Sequence, residues 1–204
     1  MAEHYYTSAP TTAHDEHTWD FPLFDNNLKF TTDAGVFSKT TVDYGTRVML
    51  TAFDYKKVPA GEILDLGAGY GPVAISLAKL LPDRHFVAAE INQRAAELSE
   101  RNALQNGVAD QIKVIQSDRY QALGNAKYAA ILTNPPVRAG KQIVSDMLAQ
   151  AADHLVPNGT LTVVLQKKQG APSAKVLMAD TFGNVEVIAK DKGYYILEST
   201  YLGQ

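Results

Sequence analysis

The chain has 204 residues, 46% of them hydrophobic, which suits one domain with a full core and leaves too little for a second. It has no cysteine, which removes disulfides, thiolate metal sites and thiol nucleophiles, disfavours zinc and leaves the redox compartment open. A formal net charge of −3 argues against indiscriminate nucleic-acid binding, which depends on neutralising many phosphates, yet it leaves room for a local basic face.

Met1 to Trp19 is polar and histidine-bearing, with no cationic segment followed by an apolar one. No apolar run approaches a membrane span, so a soluble cytoplasmic protein with no membrane partner is expected. Residues 1–20 read as a loose or edge arm, and residues 21–204 as a single domain. Phe21-Pro22-Leu23-Phe24 and Leu28-Lys29-Phe30-Thr31, split by Asp25-Asn26-Asn27, predict an N-terminal hairpin with Asx turn chemistry. A helix follows over Asp43 to Phe53, with Asp43 as N-cap.

Strands and helices then alternate. Strands are predicted at Ile63 to Leu66, His85 to Glu90, Ile112 to Gln116, Tyr128 to Thr133 and Thr160 to Leu165. Helices are predicted at Pro72 to Leu81, at Asn92 to Gln105 ending on Asn106-Gly107, and at Gln142 to Leu155. In the last of these, Val144, Met147, Leu148, Ala151 and Leu155 form one apolar stripe. Such alternation means parallel pairing with right-handed crossovers and helices on both faces. Val185 to Ile188 and Tyr194 to Leu197 flank Lys190-Asp191-Lys192-Gly193, too short for a crossover helix, so this last pair should be antiparallel. The result is an α/β, doubly wound, Rossmann-like and mostly parallel seven-stranded sheet ending in an antiparallel hairpin, which resembles the class I methyltransferase fold.

Asp65-Leu66-Gly67-Ala68-Gly69-Tyr70-Gly71 closes the first of these strands. Glycines at every second position permit a sharp strand-to-helix turn and let a ligand approach the main chain. The spacing differs from the G-x-G-x-x-G that cradles a pyrophosphate, and an acid precedes it. It suits a cofactor with an amino-acid tail and no phosphate, S-adenosylmethionine, more than NAD. Glu90 ends the next strand, where an acid accepts ribose hydroxyls. Asp118 follows the third and is the natural acceptor for an adenine amino group.

Thr133-Asn134-Pro135-Pro136 closes another strand. An amino group conjugated to a ring or carbonyl is a poor nucleophile because its lone pair is delocalised. Two acceptors holding its hydrogens, the Asn134 side-chain oxygen and the Pro135 carbonyl, favour a pyramidal nitrogen with a directed lone pair. Pro135 and Pro136 stiffen the chain that presents them. The same string also occurs as an ordinary turn.

These strings, with His4-Tyr5-Tyr6, Gly35-Val36-Phe37-Ser38, Val42-Asp43-Tyr44-Gly45-Thr46, Glu90-Ile91-Asn92 and Val137-Arg138-Ala139-Gly140-Lys141, resemble the methyltransferase domain of the RsmC family over nearly the whole chain. The resemblance is to that family's short, single-domain bacterial members. It implies methyl transfer from S-adenosylmethionine to the exocyclic N2 of a guanine in small-subunit ribosomal RNA, with that RNA or subunit as partner and no metal. Asn134, Pro135 and Pro136 would be catalytic. Asp65, Gly67, Ala68, Gly69, Gly71, Glu90, Ile91, Asp118 and Asn134 would line the cofactor. Phe37, Tyr44, Val137, Arg138 and Lys141 would meet the substrate.

Two departures stand out. The position after the double proline, commonly aromatic and able to stack on the target base, is Val137; Phe37, Tyr44 or Arg138 would have to compensate. The two-domain members carry an additional N-terminal domain that helps hold RNA, and this chain is expected to work without one. Basic residues for a local face are Arg138, Lys141, Lys167, Lys168 and Lys192. The competing readings are N-methylation of adenine N6 or of a protein glutamine, a non-catalytic RNA-binding or assembly module, and a dinucleotide oxidoreductase.

Overall fold

Ile63 to Leu66 is an unbroken run of buried residues between Gly61 and Gly67, and in the computed structural model it forms a strand near the middle of the sheet. Residues 8–9 and 11–203 are described, so His4-Tyr5-Tyr6 lies outside them. The strands are β1 His17–Leu23, β2 Asn26–Thr32, β3 Ile63–Leu66, β4 Phe86–Glu90, β5 Ile112–Gln116, β6 Tyr128–Thr133, β7 Leu155–Gln166, β8 Glu186–Asp191 and β9 Tyr194–Thr200. The α-helices are α1 Tyr44–Ala52, α2 Pro72–Leu80, α3 Gln93–Gln105, α4 Lys141–Ala149 and α5 Ala171–Phe182.

Seven strands form one sheet in the order β5-β4-β3-β6-β7-β9-β8. β4 and β5 are parallel, as are β6 and β7, whereas β9 runs antiparallel to both β7 and β8. This is the mostly parallel sheet with a terminal antiparallel hairpin that the alternation predicts. No helix among the described residues is long and apolar enough to cross a membrane. The chain divides into two compact units, residues 1–43 with 65–123 and residues 44–64 with 124–204.

In the first unit, β1 and β2 form the N-terminal hairpin, Trp19 opposite Phe30, around a two-residue turn at Phe24-Asp25 with φ of 50° and 60°. The Asn26 side chain donates to Phe24 O across it, so the side-chain bond comes from within the predicted Asp25-Asn26-Asn27 string. The edge of β2 is closed by α3. Asn102 accepts from Thr31 N at 2.7 Å and donates to Thr31 O at 3.0 Å, and Asn106 makes the same pair of bonds to Lys29. A helix spaces these amides by four residues and a strand spaces their targets by two, so two asparagines stand in for a missing strand. The Trp19, Phe30 and Tyr70 rings, with centroids 5.3–5.9 Å apart, fill the space beneath.

In the second unit, β6 is buried along its whole length. β7 begins at Leu155, five residues earlier than its apolar run suggests. Leu155 pairs with Tyr128, then Val156-Pro157-Asn158-Gly159 bulges before Thr160 pairs with Ala130. Gly159 is needed there, because a Cβ would lie 2.9 Å from Val156 O and 3.1 Å from Ala129 O. The same early start shortens the preceding helix. α4 ends at Ala149 and a 3₁₀ segment over Gln150–His154 carries Ala151 inward. α5 was not anticipated from the sequence. Gly170 before it, Pro172 in its first turn and Gly183 after it mark its ends, and Ala171, Ala174, Met178 and Phe182 form its buried stripe.

Candidate functional site

In the first unit the turn after β3 is held from the end of β4. Gly67 N and Ala68 N both donate to Ala89 O, at 2.8 and 3.1 Å. Gly69 N donates to Glu90 Oε2 at 2.7 Å, and Asn92 N donates to Glu90 Oε1 at 2.9 Å. Glu90 is 7% exposed; burial pushes its carboxyl above the usual range, against the N–H groups of Asn92, Gly69 and Ile91. Gly69 and Gly71 both have positive φ but different surroundings. A Cβ on Gly69 would meet nothing within 4 Å, whereas one on Gly71 would lie 2.6 Å from Ser99 Oγ.

Asp65 is 3% exposed and accepts from Ala74 N in the first turn of α2, at 3.1 Å. Burial pushes its carboxyl up to about 7, opposed by the Ala74 N–H and reinforced by the Glu90 charge. An acid side chain thus already takes an N–H at the anion-favouring end of α2, which disfavours a pyrophosphate at this turn. The open face over Gly69 and the buried carboxylate of Glu90 behind it fit S-adenosylmethionine. Gly67 is exposed, and Ile91, after Glu90, is half-buried.

The segment before α1 is tied to the same floor by residues that pattern reading does not flag. Asn92 caps α3 through Ala95 N and donates to Gly35 O at 3.3 Å. Arg94 donates to Ala34 O at 2.7 Å and to Thr12 O at 2.8 Å. Phe37, next along this loop, is 44% exposed. Asp118 accepts from its neighbour Arg119, at 2.9 and 3.1 Å. His14, Glu16 and Asp33 place ligand atoms within 4.8 Å of one another. Arg101 pairs with both Glu16 oxygens, and Arg94 lies 3.6 Å from Asp33, so two guanidiniums already offset this charge and compete with a cation.

In the second unit, Asn134 follows the last residue of β6 and donates from Nδ2 to Thr46 Oγ1, buried on α1, at 3.0 Å. Pro135 and Pro136 are buried. Pro136, at φ −75° and ψ 78°, is the centre of an inverse γ-turn in which Val137 N donates to Pro135 O at 2.9 Å. Val137 is half-buried and Arg138 exposed; Lys141 is exposed and opens α4. Val137 and Lys141 border a cleft of about 630 Å³ between α4 and α5, walled by Leu148, Leu165, Ala174 and Leu177. Tyr44 turns instead toward the β8–β9 turn, its hydroxyl donating to Asp191.

Thr46 was missed by sequence reasoning. The signal was present: an amide that must present one end to a ligand needs its other end fixed, and the threonine lies in a string already singled out.

A family model described as the methyltransferase small domain matches residues 27–198. The protein YbxB of Bacillus subtilis is 45% identical over 200 residues, covering 98% of each chain. Ribosomal RNA small subunit methyltransferase C of Photorhabdus laumondii is 30% identical over 178 residues, 85% of this chain and 50% of that one. A solved Thermus thermophilus structure, described as the 16S rRNA N2 G1207 methyltransferase RsmC in complex with AdoMet and guanosine, superposes with a TM-score of 0.82 at 24% identity, over 94% of this chain and 52% of that one. The chain therefore spans about half the length of these RsmC relatives.

Proposed function

The chain belongs to the methyltransferase small domain family, and on that premise we propose that it is an S-adenosylmethionine-dependent N-methyltransferase that modifies the exocyclic N2 of a guanine in small-subunit ribosomal RNA. The observation that carries the reading is Asn134 at the end of β6, its amide fixed by Thr46 and followed by a double proline held in a γ-turn. Relatives named for small-subunit methylation, and a like-folded protein described with AdoMet and guanosine, support the choice of substrate.

When bound, S-adenosylmethionine supplies an electrophilic methyl group on a sulfonium. The protein's part is to hold and orient. A carboxylate has about four acceptor positions. Glu90 accepts from the backbone N–H groups of Gly69, Asn92 and Ile91 and keeps its remaining capacity for a ribose hydroxyl. Asp65 steers the ammonium of the methionine end, and Asp118 accepts from the adenine amino group. Asn134 Oδ1 and the second lone pair of Pro135 O take the two hydrogens of the guanine amino group and pull its lone pair out of conjugation. Transfer would leave the cofactor as S-adenosylhomocysteine and the nitrogen as a cation that loses one proton to water; no strong base is required, because that ammonium is far more acidic than the amino group. A guanine in structured RNA must be extruded first, at a cost of a few kcal/mol offset by backbone contacts. Val137 leaves stacking to the exposed Phe37 ring or the planar Arg138.

The test is nucleoside analysis of small-subunit RNA from cells with and without the protein. One N2-methylguanosine should vanish without it and return with wild type but not with Asn134→Ala. An unchanged N2-methylguanosine content contradicts the substrate assignment.

A further inference from the structure

Charge is divided unevenly along the chain. Residues 1–43 with 65–123 carry 8 Lys/Arg against 14 Asp/Glu, whereas residues 44–64 with 124–204 carry 11 against 8. Part of the second set gathers at the β8–β9 turn. Lys167 N donates to Gly193 O at 2.9 Å, which ties the Lys167-Lys168 segment to this turn. Lys192 Nζ stands 4.7 Å from the Tyr44 ring centroid, and Lys190 Nζ stands 4.8 Å from that of Tyr195. The Arg47 guanidinium is 4.9 Å from the Tyr44 centroid, and Tyr194 leans on the same ring at 5.8 Å. Asp191, held by the Tyr44 hydroxyl, is the acid among them.

The turn itself carries the second observation. Lys192 and Gly193 are its two central residues, with φ of 43° and 83°. Positive φ at both positions is the hairpin geometry that asparagine and glycine fill at least cost. A lysine there is strained, and its placement beside other cations adds repulsion rather than relieving it. Both costs fall at one spot, and a polyanion would relieve the second. The Tyr44 ring meanwhile fixes the direction of the Lys192 ammonium, so little freedom is left to lose on binding.

We propose that the β8–β9 turn, with Lys192 set on the Tyr44 ring and Lys167 and Lys168 on the segment bonded to Gly193, is a docking surface for the phosphate backbone of the substrate RNA. The proposal rests on the RNA reading above. It assigns a second contact to the substrate, separate from the recognition of the target base, and supplies affinity through release of counterions.

Lys192→Asn separates this role from a structural one, because asparagine suits the turn and carries no charge. With a labelled naked transcript of small-subunit RNA, the variant should bind several-fold more weakly, with the slope of log Kd against log salt reduced by about 0.7–0.9. Adding Lys167→Gln and Lys168→Gln should remove a further amount of the same order per residue. The thermal midpoint of Lys192→Asn should be unchanged or higher, and calorimetric affinity for S-adenosylmethionine unchanged. If wild type binds and methylates the RNA while the variants keep its Kd and slope, the docking surface is overturned and the proposed activity stands. A lowered midpoint in Lys192→Asn would make the lysine structural and also overturn the proposal. If wild type neither binds nor methylates the transcript or the assembled subunit, the RNA reading fails and the docking surface with it.

Discussion

Gly69 N and Glu90 Oε2 are joined by a 2.7 Å hydrogen bond, so the carboxylate at the end of β4 holds the turn that leaves β3. One buried acid therefore shapes the cofactor floor and is assigned to the ribose. Glu90→Gln keeps the size of the side chain but replaces one acceptor with a donor, so one of its backbone N–H bonds is lost along with acceptor capacity for the ribose. Bonds to a charged group contribute roughly 1.5–3 kcal/mol. Calorimetry should show S-adenosylmethionine binding weakened by about 10- to 100-fold, with a much smaller effect on turnover at saturating cofactor.

Gly69 and Gly71 should respond differently to the same change. A methyl group at Gly71 would lie 2.6 Å from Ser99 Oγ and 3.0 Å from Ile75 Cδ1 on a backbone already at φ 93°, so Gly71→Ala should destabilise the fold by about 2–5 kcal/mol in urea unfolding. A methyl group at Gly69 points into open space. Gly69→Ala should incur only the left-handed backbone cost, about 1–2 kcal/mol, yet abolish cofactor binding by filling the open face. Normal cofactor affinity in folded Gly69→Ala would remove this turn from the binding site.

Asp65 gives a pH dependence with a definite sign. Its folded carboxyl titrates at about 7 against an ordinary 3.8, so the folded state binds the proton more tightly. Its stabilising contribution is full below the unfolded value and is lost as pH rises through the folded one. Asp65→Asn keeps an acceptor for Ala74 N without the titration. Between about pH 5 and 7, wild type should lose stability relative to Asp65→Asn by roughly 1 kcal/mol per pH unit, then level off. Unfolding profiles that stay parallel across this range contradict the buried acid.

Much of the fold is legible because short apolar runs bounded by glycine, proline or asparagine become strands; Ile63–Leu66, Ile112–Gln116 and Tyr128–Thr133 have the predicted limits. α5 is not, since two of its four buried positions are alanines while the exposed Val176 and half-buried Leu177 put apolar residues off the stripe and blur the contrast that defines it. The glycine turn and the Asn134-Pro135-Pro136 string announce themselves by residue type. Their supports do not. Thr46 meets Asn134 across 88 positions, and Arg94 meets the backbone of Ala34 and Thr12. A lone arginine on a helix reads as solvated until the chain that wraps it is seen.

Thr46 offers a test of positioning. Thr46→Val keeps the volume and removes the hydroxyl that accepts from Asn134 Nδ2, freeing the amide to rotate. Turnover should fall several-fold, with KM for RNA little changed and cofactor affinity untouched, and Thr46→Ser should restore most of the loss. A change in cofactor affinity instead would show that Thr46 acts through the fold.

The most direct measurement is methyl transfer from labelled S-adenosylmethionine to small ribosomal subunits, naked small-subunit RNA, DNA and bulk protein, with wild type beside Asn134→Ala. Loss of one preorganised polar contact lowers turnover by about 10²-fold or more. The account predicts label in RNA, recovered as N2-methylguanosine and reduced to that extent in the variant, with cofactor binding retained. Label in adenine or protein, or equal label with both enzymes, contradicts it.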